Sequence, residues 1–253
     1  MRNLKLTIEY DGKNYCGWQT QKRRKGKNTA RRLSIQETIE KTLRKIIQEK
    51  VSIAASGRTD SGVHAWAQVA NFKTNSQIPA GKLQMALNCL LPADIVIKAI
   101  DEVGPDFHSC FNARSKTYRY AVLNRSYPSA LLKDKTHFYY HPLDIALMRK
   151  EARSLLGRHD FEIFRASGSS SQTTVRTIKK ISISTACYPL VIIDIEADGF
   201  LYNMVRKIVG TLLEIGRGRF KRGHIKKILR SKDINLCGPT VPAKGLFLIK
   251  VNY

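Results

Sequence analysis

The sequence predicts an α+β fold: an antiparallel sheet with helices packed on one face, divided into two similar-sized halves. Two patterns carry this. Some segments alternate polar and apolar residues with the period of two that suits a half-covered strand, whereas others repeat apolar residues at helical spacing. Helices also rarely fall singly between consecutive strands, which argues against a doubly wound parallel sheet. A composition shift near Gly104 to Asn112 sets the expected boundary, with an N-terminal half over residues 1–105 and a C-terminal half over 106–253.

Taken in order, LKLTIEY (Leu4 to Tyr10) alternates as a half-buried strand should, and DGKNYCGW after it has turn composition. KRRKGKNTARR (Lys22 to Arg32) holds seven basic residues and no acid, and reads as a basic loop. Ser34 and Glu37 form a capping box ahead of Ile35, Ile39, Leu43, Ile46 and Ile47, which predicts an amphipathic helix to about Glu49. VSIAAS and WAQVANFKT are expected strands, GKLQMALNCLL a helix stopped by Pro92, and DIVIKAIDEV a further strand. In the second half KTYRYAVLN, IKKISIS, LVIIDIEA and the final GLFLIKVNY read as strands. Asp144 should cap the helix IALMRKEARSLLG, and FLYNMVRKIVGTLLEIG should form a long helix.

The 253 residues contain 44 Lys and Arg against 20 Asp and Glu, a formal net charge of +24. Solubility does not require such an excess, and its physical meaning is a polyanionic partner, either nucleic acid or an anionic membrane surface. The N-terminus has no continuous apolar stretch of signal-peptide length and nothing later approaches a membrane span, so a cytoplasmic protein is expected. Five scattered cysteines, never spaced C-x-x-C, fit buried reduced thiols better than a disulfide framework or zinc site.

Cofactor fingerprints are absent: there is no G-x-x-x-x-G-K-[ST], and the lone G-x-G in GRGRF follows a helix. The six histidines are dispersed, so neither metal nor cofactor is expected. The stretch SGRTDSGVHA (Ser56 to Ala65) is different. It places Asp60 in a glycine-punctuated loop between two expected strands, where a side chain can be offered to a ligand from rigid flanks. An aspartate beside Ser and Gly also commonly binds its own turn backbone, and the local residues fit both roles. Arg58 could pair with Asp60, contact phosphate or face solvent, and His64 could be a satisfied loop histidine.

GRTDSGVHA, with QVANF just behind it, resembles the signature loop of the tRNA pseudouridine synthase A family. The resemblance continues through IEYDGKNYCGWQTQ, SIQETIEKTL, FNARSKTYRY, GRHDFEIF, ADGFLYNMVRKIVGTLLEIGRG and PAKGLFLIKVNY, in the family's order and over almost the whole chain. It implies the pseudouridine synthase type of fold and an isomerase of the intramolecular-transferase class. That enzyme would convert uridine to pseudouridine at positions 38, 39 and 40 of the tRNA anticodon stem and loop, as a homodimer without cofactor or metal. By the same resemblance Asp60 is the catalytic carboxylate, as nucleophile or as the base toward a glycal intermediate, and Arg206 is the arginine that pairs with it. Tyr118 matches the tyrosine that stacks on the flipped base and relays a proton. Arg58 and His64 are expected near the flipped nucleotide, and Leu246 as an apolar wall of the pocket.

With tRNA as the implied partner, the acid-free run Arg217, Arg219, Lys221, Arg222, Lys226, Lys227, Arg230 and Lys232 becomes, with residues 22–32, the expected RNA footprint. The sequence departs from the family pattern at Ser61, where alanine is frequent, at Ala67, where glycine is frequent, and in the long basic loop after Gln21. Charge alone would equally support a non-catalytic RNA-binding protein. A phosphohydrolase is disfavoured, because residues 51–65 hold only one acid where Mg²⁺ would need several.

Overall fold

The computed structural model describes residues 1–20, 32–166, 172–231 and 233–253. Lys22 to Arg31 of the basic loop, and Lys232, lie outside the described residues. The chain forms two compact units, one of Met1–Arg114 with Leu248–Tyr253 and one of Ser115–Phe247.

The first unit opens with β1 (Arg2–Tyr10), whose alternate residues Leu4, Leu6, Ile8 and Tyr10 are buried as its sequence pattern requires. Helix α1 (Ile35–Ile47) begins at Ser34, whose hydroxyl accepts the Glu37 amide at 3.0 Å, and stops at a left-handed Gln48. After the short β2 (Ala54–Ala55) come β3 (His64–Thr74), α2 (Ala80–Leu90) and β4 (Ile95–Val103). Strand β1 is the middle of this sheet, antiparallel to both β3 and β4, and β2 adds to the far edge of β3. The β1–β4 register slips between Thr7 and Ile8. Asn88 of α2 is hydrogen-bonded to Ile97 there, donating to its carbonyl at 2.9 Å and accepting from its amide at 2.8 Å.

The second unit contains β5 (Ser115–Asn124), β6 (His137–Tyr139), α3 (Ile145–Ala152), β7 (Gly157–Asp160), β8 (Val175–Ser184) and β9 (Leu190–Ala197). Helices α4 (Met204–Gly216) and α5 (His224–Ser231) follow. The last strand, β10 (Leu246–Asn252), starts in this unit and runs into residues of the first. The order β5-β9-β8-β7 is antiparallel throughout, and β6 lies parallel to β5. The fold is therefore mixed α/β with mostly antiparallel strands, as expected.

Helix α4 is the core of this unit and is buried at all but one of its 13 positions. Its polar residues are satisfied internally: the Lys207 ammonium donates to the Arg165 carbonyl at 2.9 Å, and the Thr211 hydroxyl to the Lys207 carbonyl at 2.8 Å. Helix α5 buries Ile225 and Ile228. Its N-terminal amides are capped by the buried Glu151 of α3, which accepts from Gly223 at 2.8 Å and Ile225 at 3.2 Å.

Several details differ from the sequence expectation. The long helix starts at Met204 rather than at Phe200, because Asn203 adopts a left-handed backbone (φ 59°) that cannot extend a helix backwards. Strands β6 and β7 and helix α5 were not expected; the two strands are only three and four residues long, and α5 is masked by its run of basic residues. None of the five cysteines forms a disulfide, but Cys89, Cys110 and Cys187 are exposed rather than buried.

Two predictions follow from the second unit's packing. A Cβ added at Gly210 would fall on the carbonyl oxygen of Pro239. Both partners of that contact are backbone, so Gly210→Ala is expected to cost about 3 kcal/mol in urea denaturation. His137, beside the ring of Tyr120, has its pKa lowered from 6.5 to about 4 by burial and by the charge of Lys244. Between those values the unfolded chain binds a proton that the folded one refuses, so stability should be lost as pH falls from 6.5 towards 4. His137→Gln should flatten that part of the stability curve.

Candidate active site

The loop carrying Asp60 runs from Ser56 to Val63 and is fixed by buried polar contacts. The Ser56 hydroxyl donates to the Gln68 side chain at 2.7 Å, Gln68 donates to the Gly57 carbonyl at 2.8 Å, and the Ser56 amide joins the Val69 carbonyl at 2.8 Å. The Thr59 hydroxyl meets that of Tyr10 at 2.7 Å, where burial holds the phenol well above its ordinary pKa and therefore neutral. The Trp18 amide donates to the Thr59 carbonyl at 2.9 Å and the Ser61 hydroxyl to the Tyr15 carbonyl at 2.9 Å. Asp60 is half-buried on this support and Arg58 beside it is exposed.

The turn after β1 presses directly on the loop. Gly17 has φ +104°, and a Cβ there would lie 2.7 Å from the Thr59 oxygen and 3.1 Å from the carbonyl carbon of Asp60. Only glycine satisfies both conditions. At the far end His64 is only 1% exposed. Its Nδ1 lies 2.8 Å from an Asp11 carboxylate oxygen and 3.2 Å from the Gly12 amide nitrogen, which joins the loop to the same turn.

In the second unit Tyr118, on β5, is buried with its ring edge-on to Phe200 at 5.0 Å. Arg206, one turn into α4, is held by two acceptors at 2.7 Å, the Val241 carbonyl and the side chain of Asn203. The left-handed Asn203 thus directs its amide oxygen to Arg206 instead of capping its own helix. Leu246 is buried at the start of β10, after a tight turn that lays Gly245 against the Tyr120 ring. Arg58 and Asp60 accordingly share one loop of the first unit, with His64 directly after it at the start of β3, and Tyr118, Arg206 and Leu246 belong to the second. Among the described residues no group of three or more His, Cys, Asp or Glu could hold a metal ion.

A family model described as tRNA pseudouridine synthase matches residues 6–112 and 152–253. The chain belongs to this family. It is 48% identical over 253 residues to a tRNA pseudouridine synthase A of Acetivibrio thermocellus and 45% identical to one of Thermoanaerobacter sp., each covered along its full length, as is this chain. A tRNA pseudouridine synthase A 2 of Clostridium perfringens is 48% identical over the same extent.

For a pseudouridine synthase, the sequence exposed the loop but not what fixes it. Tyr10, Gly17, Gln68, Asp11 and Asn203 were read as strand, turn or helix residues. Of these, the D-G pair at Asp11 and Gly12 and the glycine at position 17 were the available signals of a special turn. The departure at Ser61 gains a contact rather than losing one, since its hydroxyl is what reaches Tyr15.

Gly17→Ala is expected to push the Asp60 loop off its support. Amide exchange at Trp18 and Val63, whose N–H groups are bound by Thr59 and Asp60, should accelerate by at least about 10-fold, with α1 protection retained. Exchange rates matching the wild type at both amides would show that the loop does not depend on this contact.

Proposed function

We propose that this protein isomerises uridine to pseudouridine at positions 38, 39 and 40 of the tRNA anticodon stem and loop, with Asp60 as its catalytic carboxylate. The observation that carries the reading is the Asp60 loop: a half-buried carboxylate on a backbone tied down by Tyr10, Gln68, Tyr15 and Trp18, in a chain of the pseudouridine synthase family. Preorganised support of this kind is what a group acting on a sugar carbon requires.

The reaction breaks the C1′–N1 bond, turns the base and forms C1′–C5. The C5 proton leaves and N1 gains one, so the balance needs no cofactor or metal. Asp60 attacks C1′ or removes the C2′ proton, and in either case must be ionised. Arg206 is assigned as the cation that keeps it so, supported by the two hydrogen bonds that hold its guanidinium in place. Tyr118 offers its ring to the flipped base, Leu246 an apolar wall, Arg58 a contact to the nucleotide backbone, and His64 holds the loop. Exposed Lys221, Arg222, Lys226, Lys227 and Arg230 supply phosphate contacts. The protein would act in the cytoplasm as a homodimer. Among the described residues no helix is long and apolar enough to cross a membrane.

The test uses unmodified tRNA transcripts and maps pseudouridine by carbodiimide adduct stops. Wild-type protein should modify anticodon-arm uridines, and Asp60→Ala should lose on the order of 10³-fold or more in kcat while still binding tRNA. Wild-type protein that leaves every anticodon-arm uridine unchanged would overturn the function, whereas an active Asp60→Ala would overturn only the catalytic assignment.

A further inference from the structure

At the end of α4 a single buried carboxylate organises two arginines beside an open cleft. Glu214, whose side chain is 5% exposed, holds Arg217 at 2.7 Å and Arg219 at 3.0 Å on the same oxygen. Two of the eight cations in the basic run are therefore partly neutralised from one turn upstream, and their geometry is fixed. The segment after β6 is brought alongside by the Asp144 amide, which donates to the Gly216 carbonyl at 2.8 Å. This sets the Nε2 atom of His141 3.4 Å from Arg217.

His141, Pro142, Arg217, Gly218 and Arg219 line a cleft of about 520 Å³, within the size range of small-ligand sites, and no acid lines it. A helix C-terminus would ordinarily repel an anion, but the last four carbonyls of α4 are all engaged. Leu213, Glu214, Ile215 and Gly216 accept from Arg217, Arg219, Gly218 and Asp144. Each guanidinium has five N–H donors, more than Glu214 can take, and the Arg219 side chain is 62% exposed. Next to the cleft Tyr140, also 62% exposed, lies on the His141 ring at 4.0 Å and 35°. Cations held beside an exposed aromatic ring are a combination with which proteins hold unpaired nucleotides.

We propose that this cleft is an anchoring subsite for one nucleotide of the RNA substrate, its phosphate bound by Arg217 and Arg219 and its base stacked on Tyr140. The inference rests on the tRNA reading above. None of Asp60, Tyr118 and Arg206 lines the cleft, so the subsite grips RNA rather than performing the isomerisation.

Fluorescein-labelled unmodified tRNA, titrated with the full-length protein across a salt series, tests it. Arg219→Gln should weaken binding about 10-fold and make the slope of log K against log salt shallower by about one, the signature of one lost phosphate contact. Tyr140→Ala should weaken binding by a similar factor with the wild-type slope, because stacking carries no charge. In turnover both losses should appear in KM. A wild-type slope in Arg219→Gln overturns the phosphate contact, and wild-type affinity in Tyr140→Ala overturns the stacking. Failure of the wild-type protein to make pseudouridine would instead strike the proposed function, since the binding series reads the cleft without turnover.

Discussion

Where the turn after β1 meets the loop after β2, backbone touches backbone, and the placement of Asp60 depends on that meeting. A loop cannot hold a carboxylate steady by itself, because each ordered residue costs about 1–2 kcal/mol of backbone entropy. Here the cost is offset from beneath: Gly17 lies on Thr59 and Asp60, Tyr10 and Gln68 take the side chains on either side of Arg58, and Asp11 takes His64. Nearly all of these supporting groups come from β1, its turn, or β3, the most deeply buried strands of the first unit. Rigidity is thereby passed from the sheet to the loop, and Asp60 itself is left half-exposed.

The elements with strong local signals were legible in the sequence. Strand β1 and helix α1 were readable because each has one apolar face, and α1 also has a cap that states its start. The family loop was readable because its residues are contiguous. What escaped is what depends on distant partners. Helix α5 is eight residues long, carries its apolar Ile225 and Ile228 within a run of basic residues, and gets its N-terminal cap from Glu151, some seventy positions earlier. Asn203 looked like one more polar residue in a helical run, yet its left-handed backbone moves the helix start and frees its amide for Arg206. Gly210 gives no sequence sign that the backbone of Pro239 packs against α4 there.

Charge is distributed by the same logic. With 20 acids against 44 bases, each carboxylate matters, and many of those described are used internally. Asp194 takes Arg119 in a two-point contact, Glu102 takes Arg2, Asp101 takes Lys5, and Asp11 takes His64. Glu151 and Asp144 serve helix starts. These contacts tie down the acids and some of the arginines, while lysines such as Lys221, Lys226 and Lys227 remain exposed to the solvent from which a polyanion would approach.

Glu214 sharpens the contrast between two uses of a carboxylate in such a chain. Only the carboxylate is buried, at 5% exposure, while Arg217 and Arg219 reach it from the surface, so its position is structural. Asp60 lies on a loop fixed through its neighbours' backbone and side chains, and it is only half-buried. Glu214 lies in helix α4 and Asp60 in a loop, and burial is what separates the two carboxylates.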